Sequence, residues 1–166
     1  MSMPTAATPS LHADAPSTPR VVLDTQVVMD WLVFNEPSIA PLVEKIEGGH
    51  LLWIGTPAMQ AELLHVLSRG IAASRQPDLC RIEACFSQHC RMRPDPELGL
   101  ARPRCSDTDD QKFIDLGLAL AAEGGATTWL ISRDRAVLAV AKRARRLGLE
   151  ILPPATWLKL QTLGSP

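Results

Sequence analysis

Several features are scarce in this chain of 166 residues, and each scarcity narrows the choice of function. Aromatic residues are few, with four Trp, three Phe and no Tyr, so a stacking platform for single-stranded nucleic acid is not expected. Positive charge is not in excess: 17 Lys and Arg stand against 18 Asp and Glu, giving a net charge of −1. An overall basic surface is therefore excluded, and any contact with nucleic acid must come from a local patch.

Signals for zinc-binding, membrane-spanning and secreted proteins are also missing. The four cysteines include no CxxC pair, and their successive spacings of 5, 5 and 15 residues match no common zinc pattern, which favours reduced thiols in the cytoplasm. No apolar run reaches the ~18 residues of a membrane span. Residues 1–19 lack the regions of a signal peptide and are rich in Pro, Ala, Ser and Thr. They predict a disordered lead-in, followed by one domain over 20–162 and a short tail over 163–166.

Short apolar or β-branched runs alternate with segments of helical periodicity along the rest of the chain. Strands are predicted at 20–24, 51–55, 129–132 and 149–152. Helices are predicted at 27–32, 41–46, 57–69, 77–92, 106–121 and 136–147, and near Trp157. This order predicts an α/β fold with a parallel central sheet flanked by helices, a three-layer α/β/α arrangement.

Acidic residues follow two of these strands and begin one of the helices. Asp24 and Asp134 come just past predicted strands, and the run Ser106-Asp-Thr-Asp-Asp110 opens a helix. Sites in open parallel sheets form outside the carboxyl ends of the strands, so these acids are expected to meet at one edge. Each acid by itself has a simpler alternative, as a helix cap or as an ordinary loop residue.

Four motifs in this order resemble the PIN domain, in particular its bacterial branch of toxins from toxin–antitoxin pairs. They are Val21-Val-Leu-Asp24-Thr25, Ala61-Glu62-Leu-Leu-His-Val-Leu67, Asp107-Thr-Asp-Asp110-Gln-Lys-Phe113 and Leu130-Ile-Ser132-Arg-Asp134. The resemblance covers roughly residues 20–160. It implies a fold similar to the 5′-nucleases and a cytoplasmic endoribonuclease that depends on Mg²⁺ or Mn²⁺. RNA, a protein antitoxin and a second copy of the chain are the partners that it implies, and no membrane.

The same resemblance implies roles for individual residues. Asp24, Glu62, Asp110 and Asp134 are expected to be catalytic and to bind the metal, with Ser132, Asp107 and Gln26 in an outer shell. Carboxylates from separate elements suit Mg²⁺, which prefers oxygen ligands and keeps several waters. Two carboxylates ~4 Å apart repel by about 4 kcal/mol at an effective dielectric near 20. Without metal, at least one of the four acids should therefore show a raised pKa.

A basic stretch lies close to the last acid motif. Residues 133–146 contain six Lys or Arg and one Asp, a local charge of +5. Within it, the candidates for contact with the RNA backbone are Lys142, Arg143, Arg145 and Arg146. The alternative for this run is a solvated helix face.

One departure from the family pattern keeps two other functions open. Gln26 stands where the family usually has Asn, which moves the amide one methylene further from Asp24. A catalytically inactive PIN-like binding module is therefore one alternative. The other is a phosphoaspartyl-type phosphatase, because Asp24 follows a hydrophobic strand. Such enzymes need a second acid two residues on, and Gln26 occupies that position.

Overall fold

The computed structural model describes residues 18–99 and 101–164 of the chain. Its sheet contains the strands β1 (Arg20–Leu23), β2 (Leu52–Gly55), β3 (Cys90–Met92), β4 (Thr128–Ile131) and β5 (Leu149–Leu152). All neighbouring strands are parallel, in the order β3-β2-β1-β4-β5. The four strands predicted from the sequence are confirmed.

Helices connect the strands, as a parallel sheet requires. They are α1 (Thr25–Leu32), α2 (Ala40–Glu47), α3 (Pro57–Ser68), α4 (Leu79–His89), α5 (Gln111–Glu123), α6 (Arg135–Leu138), α7 (Ala141–Arg145) and α8 (Pro154–Leu163). None of these described helices is both long and apolar enough to cross a membrane.

Alternate strand residues pack into two separate hydrophobic cores. Val21 and Leu23 belong to one core, which also contains residues of α1, α2, α4 and α8. Val22 lies in the other core, together with residues of α5, α6 and α7. Because successive strand side chains point to opposite faces, the two cores cover the two faces of the sheet. The predicted three-layer α/β/α arrangement is therefore confirmed.

Three predicted helices differ from the structure. The helix predicted from Ser106 begins at Gln111, and Thr108–Asp110 before it forms a 3-10 turn. The helix predicted over 77–92 ends at His89, and Cys90–Met92 instead forms the edge strand β3, with Cys90 paired with Trp53 of β2. The basic helix predicted over 136–147 is divided into α6 and α7. At the division, backbone hydrogen bonds run from Val140 N to Val137 O at 3.1 Å, and so span three residues instead of four.

The predicted ends of the domain fall close to the limits of the described residues. Residues 1–17 of the predicted lead-in lie outside them, while the carbonyl of Pro19 already accepts a hydrogen bond of 2.9 Å from Leu52 N. Helix α8 continues to Leu163, one residue into the predicted tail, and residues 165–166 again lie outside. The four cysteines are free thiols, as expected, and only Cys80 is exposed.

Candidate metal centre

Asp24 lies at the carboxyl edge of the sheet, where β1 and β4 end side by side. Its backbone N–H donates to the carbonyl of Ile131 at 3.2 Å, and its side chain is buried. One carboxylate oxygen accepts from Val27 N at 3.0 Å and so caps α1, while the other accepts from the hydroxyl of Ser132. Burial raises the pKa of Asp24, and these two hydrogen bonds act against that rise. The carboxylate is therefore held in one orientation.

Asp134 is tied to the same hydroxyl from the other side. Its backbone N–H donates to Ser132 Oγ at 3.0 Å. Its carboxylate Oδ1 caps α6 by accepting from Ala136 N at 2.7 Å and Val137 N at 3.3 Å. The side chain is exposed. Ser132, expected from the sequence as an outer-shell residue, thus joins Asp24 to Asp134.

Glu62 projects from α3 and has both carboxylate oxygens engaged. Oε2 accepts from the hydroxyl of Thr25, and Oε1 accepts from the ammonium of Lys112 at 2.8 Å. Lys112 also donates to the carbonyl of Asp109 at 2.5 Å. Neither Thr25 nor Lys112 was predicted as a site residue, although both stand inside the motifs that carry the family resemblance. Together they connect Glu62 to the elements bearing Asp24 and Asp110.

Asp110 is the one acid of the four whose carboxylate accepts no hydrogen bond from the described residues. It stands at the start of α5 and is half-buried. Burial, followed by the charges of Asp134, Asp107, Asp24 and Glu62, raises the pKa of Asp110 to about 6. At least one of the four acids thus has the raised pKa that was expected, with burial as its main cause and the neighbouring charges adding to it.

The four predicted acids line one cleft with a volume of about 330 Å³. The residues lining it are Asp24, Thr25, Gln26, Met29, Phe34, Glu62, Val66, Ile71, Asp110 and Asp134. This oxygen-rich donor set fits a hard divalent cation, because Asp110 faces three other acids without a partner of its own. Within residues 18–99 and 101–164, no three His, Cys, Asp or Glu side chains yet stand close enough to enclose an ion. The carboxylates would have to draw together around one.

The family model described as a PIN domain matches residues 20–136. The chain belongs to the PIN-domain family. The matched segment begins with β1 and extends past Asp134, so it contains all four acids. No curated protein matches the chain significantly. PIN domains have a nuclease-type fold and are typically hydrolases that use divalent metals.

The two remaining outer-shell predictions have different positions in this PIN domain. Asp107 is exposed and caps the turn before α5, where its side chain accepts from Asp109 N at 3.0 Å. Its carbonyl accepts from Asp110 N at 3.3 Å, and its charge contributes to the raised pKa of Asp110. Gln26 lines the cleft, but its amide donates to Asp30 Oδ1 at 3.2 Å instead of to Asp24. The carboxylate of Asp24 is thus oriented by Ser132 and Val27, not by the Gln26 amide.

The four candidates for RNA contact in the basic stretch, Lys142, Arg143, Arg145 and Arg146, do not line the acidic cleft. Arg145 Nε lies 3.0 Å from both carboxylate oxygens of Glu150. Glu150 is the second residue of β5 and pairs with Trp129, the second residue of β4. Arg145 therefore lies toward the amino ends of the strands, whereas Asp24 lies beyond their carboxyl ends.

The other three candidates for RNA contact, Lys142, Arg143 and Arg146, are also exposed. Arg143 donates to the carbonyl of Arg104 at 3.2 Å. Lys142 and Arg146 make no hydrogen bond or ion pair with the described residues. None of the described residues that line the cleft is Lys or Arg, so the structure does not bring these cations together with the acids.

Proposed function

We propose that this PIN domain is a Mg²⁺- or Mn²⁺-dependent endoribonuclease that cleaves RNA phosphodiester bonds. Asp24, Glu62, Asp110 and Asp134 are the proposed metal-binding and catalytic residues. The observation that carries the proposal is the placement of these four acids, from four different elements, around one cleft where Asp110 has its pKa raised to about 6. Acids gathered in a cleft, one of them with a perturbed pKa, are a recognised signature of a functional site.

The chemistry of the cleft suits phosphodiester hydrolysis. A divalent cation bound there would supply a Lewis acid that activates water and offsets charge developing on the phosphate. Asp24 is fixed by Ser132 and Val27, so it offers a preorganised ligand at the base of the cleft. Asp110 is free of hydrogen bonds from the described residues and can therefore turn toward an ion without breaking one. Asp134 keeps one oxygen outside its capping interaction.

The two alternative functions have less support. A phosphoaspartyl enzyme needs a nucleophilic carboxylate that a substrate can reach, but Asp24 is 5% exposed and both of its oxygens accept hydrogen bonds. The inactive binding module was suggested by Gln26. Because Ser132 and Val27 orient Asp24 without help from the Gln26 amide, that substitution does not disturb the acid.

The direct test is cleavage of a labelled single-stranded RNA with Mg²⁺, with Mn²⁺ and with a chelator. We expect cleavage by the parent protein only with metal, and loss of at least a hundredfold of the rate in Asp110→Asn, on the order expected for losing an electrostatic catalytic group. Asp109→Asn is the matched control, because Asp109 is the adjacent acid and does not line the cleft. Equal rates in the two variants, or cleavage that survives the chelator, would reject the proposal.

The toxin role is the narrower part of the proposal and rests on the resemblance to bacterial toxins. It includes a protein antitoxin, a homodimer and action in the cytoplasm. Induced expression in a bacterial host should arrest growth for the parent and for Asp109→Asn, but not for Asp110→Asn. Light scattering on the purified protein should give the mass of a dimer. If the cells keep growing although the protein cleaves RNA in a metal-dependent way, the nuclease proposal stands and the toxin role is wrong.

A further inference from the structure

One wall of the acidic cleft is apolar. This apolar wall consists of Met29, Phe34, Val66 and Ile71, which line the same cleft as the carboxylates. Met29 is buried in the core, whereas Ile71 is 47% exposed. Of the exposed large hydrophobic residues among the described ones, Ile71 is the one that lines this cleft. A half-open apolar surface next to four acids indicates a ligand with both a charged and an apolar part.

A cation stands at the rim of this wall. The guanidinium carbon of Arg75 lies 5.7 Å from the centroid of the Phe34 ring, and the Arg75 side chain is exposed. A planar guanidinium over an aromatic ring is a favourable contact, and guanidinium groups also stack on nucleobases and bind phosphate. Since the described lining of the cleft contains no Lys or Arg, Arg75 supplies a positive charge beside it.

The backbone of the segment that carries Ile71 and Arg75 has an unusual conformation. Between α3 and α4 the φ angle is +82° at Gly70, +60° at Ala72 and +48° at Gln76. A left-handed conformation costs a non-glycine residue ~1 kcal/mol or more, and such residues concentrate at ligand-binding sites. Hydrogen bonds from Ala73 N to Gly70 O at 3.1 Å and from Arg75 N to Ala72 O at 2.9 Å hold the segment in place.

We propose that Phe34, Ile71 and Arg75 form a subsite for one nucleobase of a single-stranded RNA, next to the phosphate that the acids act on. The proposal rests on the proposed nuclease function and specifies its substrate class. A nucleotide matches the cleft because its phosphate belongs with the acid and metal side and its flat base with the apolar wall. Base-paired RNA does not fit, because its bases are stacked inside the helix and unavailable.

This subsite agrees with the scarcity of aromatic residues in the chain. A platform that stacks successive bases needs several aromatic side chains, and among the described residues that line the cleft only Phe34 is aromatic. A single Phe, extended by an Ile and an Arg, offers a surface for one base. We therefore expect the protein to recognise a base at one position relative to the cleaved bond.

The test uses RNA in which a single base is missing. Binding of a labelled single-stranded oligonucleotide is measured by fluorescence anisotropy with Mg²⁺, in the Asp110→Asn background, which prevents cleavage. The same oligonucleotide is then tested with an abasic ribose at each position in turn. Removal of the base at one position should weaken binding about tenfold, as for loss of one stacked base. Adding Ile71→Ala or Arg75→Gln should weaken binding of the intact RNA about fivefold and reduce the abasic penalty toward onefold.

The matched control is Leu147→Ala, since Leu147 is 52% exposed and does not line the cleft. It should leave both the affinity and the abasic penalty unchanged. An abasic penalty that is absent at every position, or that persists in full in Ile71→Ala, overturns the subsite. In that case the apolar wall serves another partner, such as a protein.

Failure of the subsite and failure of the nuclease proposal give different results. If the parent cleaves intact and abasic RNA equally well, the subsite is wrong and the nuclease stands. If the parent does not cleave RNA but shows an abasic penalty that depends on Ile71, the nuclease proposal is wrong and the base-binding site stands.

Discussion

Lys112 places its ammonium 2.8 Å from Oε1 of Glu62, so a positive charge already neutralises one of the four acids of the cleft. Both side chains are 25% exposed, which protects the pair from full solvent screening. The contact joins α5 to α3, and the hydroxyl of Thr25 holds the other oxygen of Glu62. Without metal, the negative charge of Glu62 is therefore compensated by Lys112, whereas the carboxylate of Asp110 has no such partner among the described residues.

Lys112→Met should make the protein depend more on metal. Removing the ammonium leaves Glu62 facing the other acids, which should lower the free energy of unfolding of the metal-free protein by about 1 kcal/mol. A bound cation would replace the missing charge, so the rise in Tm on adding Mn²⁺ should be larger in Lys112→Met than in the parent. Thermal melts with a Mn²⁺ series measure both effects. Lys112→Arg keeps the charge and serves as the control; equal metal shifts in parent and Met variant would contradict the prediction.

Asp110→Asn should stabilise the metal-free protein at neutral pH. The pKa of Asp110 is raised from 3.8 to about 6 in the folded state, so between these values the folded protein binds more protons than the unfolded chain. The contribution of Asp110 to the free energy of unfolding therefore falls as pH rises from about 4 to about 6, and the loss is complete above that range. Since Asp110 is only half-buried, screening reduces the expected gain in Asp110→Asn to about 1 kcal/mol.

Urea titrations across this pH range, with metal chelated, test the sign of the effect. The stability difference between Asp110→Asn and the parent should grow with rising pH and then level off. In Asp109→Asn no such growth is expected. A saturating metal should remove the advantage, because ligand at about 100 times its Kd stabilises the parent by ~2.7 kcal/mol and a variant that does not bind gains nothing.

Ser132→Ala should destabilise the protein, although it removes a single oxygen atom. That oxygen donates to Asp24 and accepts from Asp134 N, so its loss leaves buried polar groups unpaired at a cost of about 1–3 kcal/mol. The pKa of Asp24 should rise further, because the hydroxyl now lowers it. Chemical denaturation measures the cost. Thr128→Val is the matched control: the Thr128 hydroxyl is buried and has no partner among the described residues, so its removal should be neutral or stabilising.

The basic stretch should contribute unequally to RNA binding. Lys142 and Arg146 make no hydrogen bond or ion pair with the described residues, whereas Arg143 and Arg145 are engaged by a carbonyl and by Glu150. Each lost phosphate contact should reduce the log–log salt slope of binding to single-stranded RNA by ~0.7. The double variant Lys142→Ala/Arg146→Ala should therefore lower the slope by about 1.4, and Arg143→Ala/Arg145→Ala by less. Unchanged slopes in both double variants would mean that the basic stretch is a solvated helix face that does not contact the RNA.

The sequence predicted the central strands because their apolar runs are local signals, whereas the choice of Glu62 and Asp110 came from the resemblance to the PIN domain. β1 and β4 are apolar runs followed directly by acids, and their parallel pairing brings Asp24 and Asp134 to one edge. The edge strand β3 was missed because it is three residues long and only Cys90 is buried, so it continues the pattern of the helix before it. The division between α6 and α7 has no glycine or proline to mark it.

Contacts between distant parts of the chain could not be predicted in the same way. Thr25 and Lys112 lie 37 and 50 residues from Glu62, and nothing in the chain specifies that they share its carboxylate. Their position next to recognised acids was the available signal. Arg75 and Phe34 offered none, because their contact depends on the left-handed turn at Ala72 and on the docking of α3 against α1.

Asp24 and Asp134 also serve as the caps of α1 and α6, and this double use limits how the proposed activity can be lost through mutation. Alanine at either position removes a helix cap together with a proposed ligand, which costs about 1 kcal/mol of stability. Asparagine keeps the capping oxygen and removes the charge, but it replaces the other carboxylate oxygen with an NH2 group, which at Asp24 cannot accept from the Ser132 hydroxyl. Both asparagine codons are a single nucleotide change from those of aspartate. If the domain is the proposed nuclease, Asp→Asn at these two positions is therefore a short mutational route to a folded domain without that activity.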